Sequence, residues 1–104
     1  MVKRMKVKSI SDLAFKALDQ LIENEDALWA AHAIFNNEAS RTGEIQRLMK
    51  TDCGVSYGST QSVLKTLVEK EIIFRVHRGK FSPNMKMILS KMIEILEEGK
   101  KVNG

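Results

Sequence analysis

One cysteine, one proline and 6% aromatic residues are all that this chain of 104 residues holds of the types that staple, break or bulk out a small fold. A single cysteine, Cys53, cannot close an internal disulfide, so folding does not rest on oxidation. So little proline and aromatic content argues against a β-sandwich, which needs many turns and bulky strand residues. No apolar run approaches the roughly 20 residues of a membrane-spanning helix. The opening MVKRMKVKSI is basic but lacks the apolar segment and small-residue cleavage site of a secretory signal. These absences predict a cytoplasmic, largely helical single domain with no membrane partner.

The usual signatures of catalysis are missing as well. There is no GxSxG, no HExxH and no glycine-rich phosphate loop, and no histidine has an acid partner close in sequence. One cysteine and two distant histidines, His32 and His77, offer no local chelating pair. The expectation is no enzyme, no metal and no cofactor. Cys53 reads either as a small packed hydrophobe or as a redox-sensitive thiol.

Charge is present and unevenly spread. The net charge is +4, yet residues 9–38 carry one base against six acids while residues 39–91 carry ten bases against four acids. Such asymmetry suits a polyanionic partner for the middle of the chain.

Apolar spacing of three and four predicts helices over 11–24, with Ser11 as cap, and over 25–39, with Asn24 ending or bending the first. A short third helix, capped by Thr42, carries Ile45, Leu48 and Met49. Asp52 and Gly54 make a break, and a fourth helix follows Ser56 and buries Thr60, Val63, Leu64, Leu67 and Val68. From Ile72 the period changes to IIFRV, a glycine turn in HRGK, and a short return in FSP, which is a miniature hairpin. Pro83 stops that strand or opens a last helix over about 84–98.

In GEIQRLM, then VSYGSTQSVLKTLVEKEIIFR, the chain resembles the winged helix-turn-helix family, most closely the small regulators of the MarR and ArsR type. Val55, Ser56, Leu64, Leu67, Ile72, Ile73 and Arg75 carry the resemblance, which covers a little over half the chain. It implies a mainly α fold with a small β-hairpin, helix-turn-helix about 42–70, wing about 72–83, inside one domain over 11–98. A basic arm over 1–10 and a tail over 99–104 flank it. Glu71 stands where the family usually has Gly, and KTDCGVSYG is longer than the commonest turn between the two helices.

The implied partner is double-stranded DNA, with the recognition helix offering Ser56, Tyr57, Ser59, Gln61, Ser62 and Lys65. The side chains suit that partner, since Gln can pair bidentately with adenine, Ser can reach bases or phosphates, and Lys can reach guanine or phosphate. Arg75, His77, Arg78 and Lys80 form the wing, with Arg41, Arg47 and Lys50 as candidate backbone clamps. Lys3, Arg4, Lys6 and Lys8 read either as an arm on DNA or as a disordered solubilising tail.

Met85, Ile88 or Leu89, Met92, and Ile95 or Leu96 approximate a seam for a homodimer, the other reading being a sheath over the chain's own core. Trp29 reads as core, effector pocket or interface. The expected function is sequence-specific DNA binding by a transcriptional regulator acting as a homodimer, with any small-molecule effector left unassigned. The alternative is a protein-interaction or assembly module, or a detached domain like those ending archaeal ATPases and replication-origin proteins, whose tails RGKFSPNM resembles.

Overall fold

The computed structural model describes residues 9–103, with side chains through Glu98. The arm residues Lys3, Arg4, Lys6 and Lys8 and the side chains of the tail lie outside the described residues. The order is α1 (Ile10–Leu21), α2 (Glu25–Phe35), α3 (Thr42–Cys53), α4 (Tyr57–Glu69), β1 (Ile73–His77), β2 (Lys80–Pro83) and α5 (Met85–Asn103). It is a mainly helical winged helix-turn-helix, with α3 and α4 as the motif, the β1–β2 hairpin as wing, and α1, α2 and α5 flanking.

Caps set most boundaries, and several differ from the sequence reading. Ser9, not Ser11, caps α1, its hydroxyl accepting from the Asp12 N–H at 3.1 Å. The Ser9-x-x-Asp12 spacing is that of a capping pair, and it frees Ser11 to bond His32 of α2. Asn24 caps α2 through the Ala27 N–H at 2.9 Å, and α2 stops at Phe35, short of 39, because Asn37 turns left-handed at φ 61°. Thr42 is the first residue of α3 rather than its cap. The Glu44 carboxylate closes that helix end instead, accepting from the Ser40 and Arg41 N–H groups at 3.0 and 3.1 Å.

α3 also runs on through Asp52 to Cys53, leaving only Gly54, Val55 and Ser56 as the turn. Gly54 ends it at φ 71°, with Val55 N–H donating to Met49 O and Gly54 N–H to Lys50 O. The turn is therefore short, not long, and Ser56 caps α4 as expected by accepting from Ser59 N–H at 3.2 Å.

α2 is the hub. Ala27, Ala30, Ala31 and Ala33 are buried along it, small enough for α1, α3, α4 and β2 to approach its backbone closely. Leu18, Ile45, Met49, Leu67, Ile73 and Ile88 complete the centre, each almost fully buried. Ile88 and Met92 belong to this core, packed through α5 against α1, so they are not available to a dimer seam.

Glu71 makes the corner between α4 and β1 at φ 63°, a left-handed conformation that is costly for a residue with a Cβ. Its carbonyl accepts from Asn84 Nδ2 at 2.7 Å, and Asn84 also donates its own N–H to Ile72 O. The Asn84 Oδ1 accepts from Met87 N–H at 3.1 Å, so one side chain ties the corner to the start of α5. Pro83 ends β2, the first of the two roles its position allowed.

Candidate nucleic-acid interface

The wing is a two-stranded antiparallel ribbon pairing Ile73 with Pro83, Phe74 with Ser82, Arg75 with Phe81 and His77 with Lys80, irregular at Val76. Gly79 supplies the positive φ of 67° at its turn. Two bonds from the turn carbonyl fix where it points. Gly79 O accepts from Thr42 N–H at 2.8 Å and from Thr42 Oγ1 at 3.3 Å. Two residues along, Phe81 N–H donates to Ser40 O at 2.8 Å, so the segment entering α3 is tied to β2 by an isolated bridge between Arg41 and Lys80 beside the two-stranded sheet.

This anchoring brings the wing and α4 to one surface. Thr42, Gly58, Gln61, Ser62, Leu64, Lys65, Arg75 and Phe81 line an open concavity of about 610 Å³. Thr60, Leu64 and Leu67 hold α4 down from beneath, leaving Gly58, Gln61, Ser62 and Lys65 exposed along its upper face. Arg75 rises from the floor with its guanidinium 5.0 Å from the centroid of the buried Phe81 ring, which orients the charge without neutralising it.

A second groove of about 490 Å³ runs along the other side of the α4 N-terminus, between Lys50 and Gly58, with the Lys50 ammonium 5.6 Å from the Tyr57 ring centroid. Gly58 lines both grooves, on the ridge between them. A Cβ built there would meet nothing within 4 Å, so no internal packing asks for glycine at this position.

Not every expected site residue joins the concavity. Ser56 and Ser59 spend hydroxyl capacity on each other, Ser56 Oγ donating to Ser59 Oγ at 3.1 Å while accepting from the Ser59 N–H. His77 and Arg78 sit exposed on the wing tip, and Lys80 is half-buried beside Arg41, with which it forms an isolated strand bridge. Arg47 lies exposed along α3. Arg41 and Arg47 act on Glu44, whose carboxyl is held below its usual range mainly by the Ser40 and Arg41 backbone bonds. Neither arginine forms an ion pair with Glu44 among the described residues, so both keep their charge. Lys65, Arg75 and Arg78 have no described carboxylate within salt-bridge distance.

Thr42, Leu64 and Phe81 line the concavity without having been read as site residues. Only the Leu64 position was visible in the helical spacing; the Thr42–Gly79 contact spans 37 residues and leaves no local mark.

Cys53 is partly buried, and desolvation, with the carboxylates of Asp26, Asp52 and Glu25, pushes its thiol up from the ordinary range. That favours the protonated, poorly nucleophilic form and the reading of a packed hydrophobe. Trp29 is exposed at one edge and packs against Phe15 at 5.1 Å between centroids, beside His32. Among the described residues no helix is long and apolar enough to cross a membrane. No family model, curated protein or solved structure matches this chain.

Proposed function

We propose that this chain binds double-stranded DNA sequence-specifically, as a transcriptional regulator acting as a homodimer of the winged helix-turn-helix kind. The observation carrying the reading is the shared concavity, in which Gln61, Ser62 and Lys65 of α4 face the same space as Arg75 of the wing. α4 enters the major groove by its N-terminal half, where Gln61 and Ser62 meet base edges. Arg78 and His77 on the wing tip follow the phosphates or the neighbouring minor groove.

Fluorescence anisotropy with labelled duplex tests this. Affinity falls about tenfold or more for each threefold rise in salt, because several phosphates are neutralised. Arg78→Ala weakens all sequences alike, whereas Gln61→Ala mainly erases the preference for a selected site over a random one. Salt-indifferent binding, or no effect of either substitution, would remove the proposed surface.

Gly58 gives a test that separates an outside demand from an inside one. With open space around its Cα, Gly58→Ala stabilises the start of α4 by about 0.5 kcal/mol. The added methyl stands on the ridge between the two grooves, so duplex affinity drops by roughly tenfold even as the melting temperature rises. Equal or better binding by the alanine variant counts against close approach at Gly58.

A second reading has one observation in its favour. Phe74 and Val76 are 45% and 47% exposed on β1, alternating with Arg75, so they stand on the outer face of the wing. An interaction module would use that face, and Phe74→Ser with Val76→Ser would then abolish partner binding while leaving duplex binding intact.

A further inference from the structure

α5 carries more apolar surface than its own core uses. Ile88 and Met92 are buried, yet Met85, Leu89, Ile93 and Leu96 are 42, 43, 55 and 40% exposed. Their spacing of four, four and three keeps them on one stripe beside the buried one, so the apolar arc of α5 is about twice as wide as its seat. The helix is also long. At 19 residues it spans about 28 Å, against about 18 Å for the 12 residues of α1 on which it packs.

We infer that this stripe is closed by the α5 helix of a second copy of the chain, running antiparallel. The charges beside the stripe choose the partner and its direction. Lys86 and Glu97 are both exposed and lie close to three full turns apart, on the same open flank. In a parallel pair these two flanks would fall on opposite edges of the seam, where Lys86 and Glu97 meet neither each other nor their own copies. An antiparallel pair with its two-fold axis near Lys91 sets Lys86 against the partner's Glu97 at both ends. An axis at nearly the same level places Met85 by the partner's Leu96 and Leu89 by the partner's Ile93, so stripe and charges agree to within about 3 Å along the helix. The homodimer seam is thus Met85, Leu89, Ile93 and Leu96, with Ile93 taking the place expected of Met92.

This inference gives the homodimer of the proposed function its interface and rests on that part of the reading; self-association is measured without DNA, so its failure leaves duplex binding untouched. Four half-exposed side chains cannot alone supply the roughly 800 Å² per partner of a standard interface, so the pairing is weak, with a Kd of about 1–100 µM. Sedimentation velocity on the full chain from about 1 to 500 µM then shows a monomer–dimer transition. Leu89→Glu, a surface change that leaves circular dichroism unaltered, moves it up by roughly 100-fold. Lys86→Glu and Glu97→Lys each weaken the dimer about tenfold, and the two together in one chain restore it.

Direction is read by cross-linking in a Cys53→Ala background. Chains bearing Met85→Cys, mixed with chains bearing Leu96→Cys, form the mixed disulfide on mild oxidation, while neither forms its own readily. A monomer across the whole range, a charge swap that fails to restore, or self-linking by Met85→Cys overturns the inference.

Discussion

With Lys65 and Arg75 both changed to glutamate, duplex affinity falls by at least about 100-fold at low salt. The two side chains line the same concavity from different elements, one on α4 and one on β1. Neither lies within salt-bridge distance of a described carboxylate, so each positive charge is available to an outside anion. Reversing both replaces two attractions by two repulsions on the surface proposed to meet the phosphates. The fold tolerates this: both residues are exposed, and the stacking of Arg75 on Phe81 is worth only about 0.5–1 kcal/mol at such a site. The control is Lys16→Glu with Lys70→Glu, which changes the net charge equally on α1 and at the far end of α4, outside both the concavity and α5. Wild-type affinity in the double reversal would sink the proposed interface. An equal loss in the control would reduce it to bulk charge.

The order of elements was legible because each rests on local pattern. α4 follows from Ser56 and the spacing of Thr60, Leu64 and Leu67, and the wing follows from the change of period at Ile72 and the glycine in its turn. Boundaries were less so, since two capping candidates often compete within a few residues. Ser9 wins over Ser11 because only Ser9 has an acid three residues on, and because His32 on α2 takes the other hydroxyl. α3 outlasts its turn-forming Asp52 because Gly54, not Asp52, provides the left-handed stop. The departure at Glu71 was visible as an oddity of residue type, and the structure gives it a partner in Asn84 that no local rule supplies.

The site divides in the same way. The exposed side of α4 could be read from the helical period alone, since fixing the buried residues fixes the rest. That Arg75 shares its space could not, because the orientation of the wing depends on Thr42, whose backbone and hydroxyl both hold the Gly79 carbonyl. On α5 the wheel offered Ile88 or Leu89 and left open which would face inward. Packing against α1 decides, taking Ile88 and Met92 into the core and leaving Leu89 and Ile93 outside.

Two substitutions about two turns apart on the buried stripe of α4 move stability in opposite directions. Leu67 is fully buried where α4 meets α2 and β1, and Leu67→Ala removes three carbons that nothing nearby is free to replace. The expected cost is about 3 kcal/mol, a large share of the roughly 5–15 kcal/mol typical of a whole domain, and the melting temperature falls by roughly 12–20 °C. Thr60 is equally buried, but its Oγ1 finds no hydrogen-bond partner. Burying an unpaired hydroxyl costs about 1–3 kcal/mol, and Thr60→Val replaces it with a methyl of similar shape at unchanged helix propensity. The valine variant therefore gains about 1 kcal/mol and melts roughly 4–8 °C higher, with duplex affinity unaltered because the residue faces away from the concavity. Thermal unfolding followed by circular dichroism reads both. A Thr60→Val variant less stable than wild type would mean that the hydroxyl does have a partner, the Ser56 carbonyl one turn back being the nearest in sequence. That bond needs only a change of χ1 at Thr60 and leaves the outward face of α4 where it is.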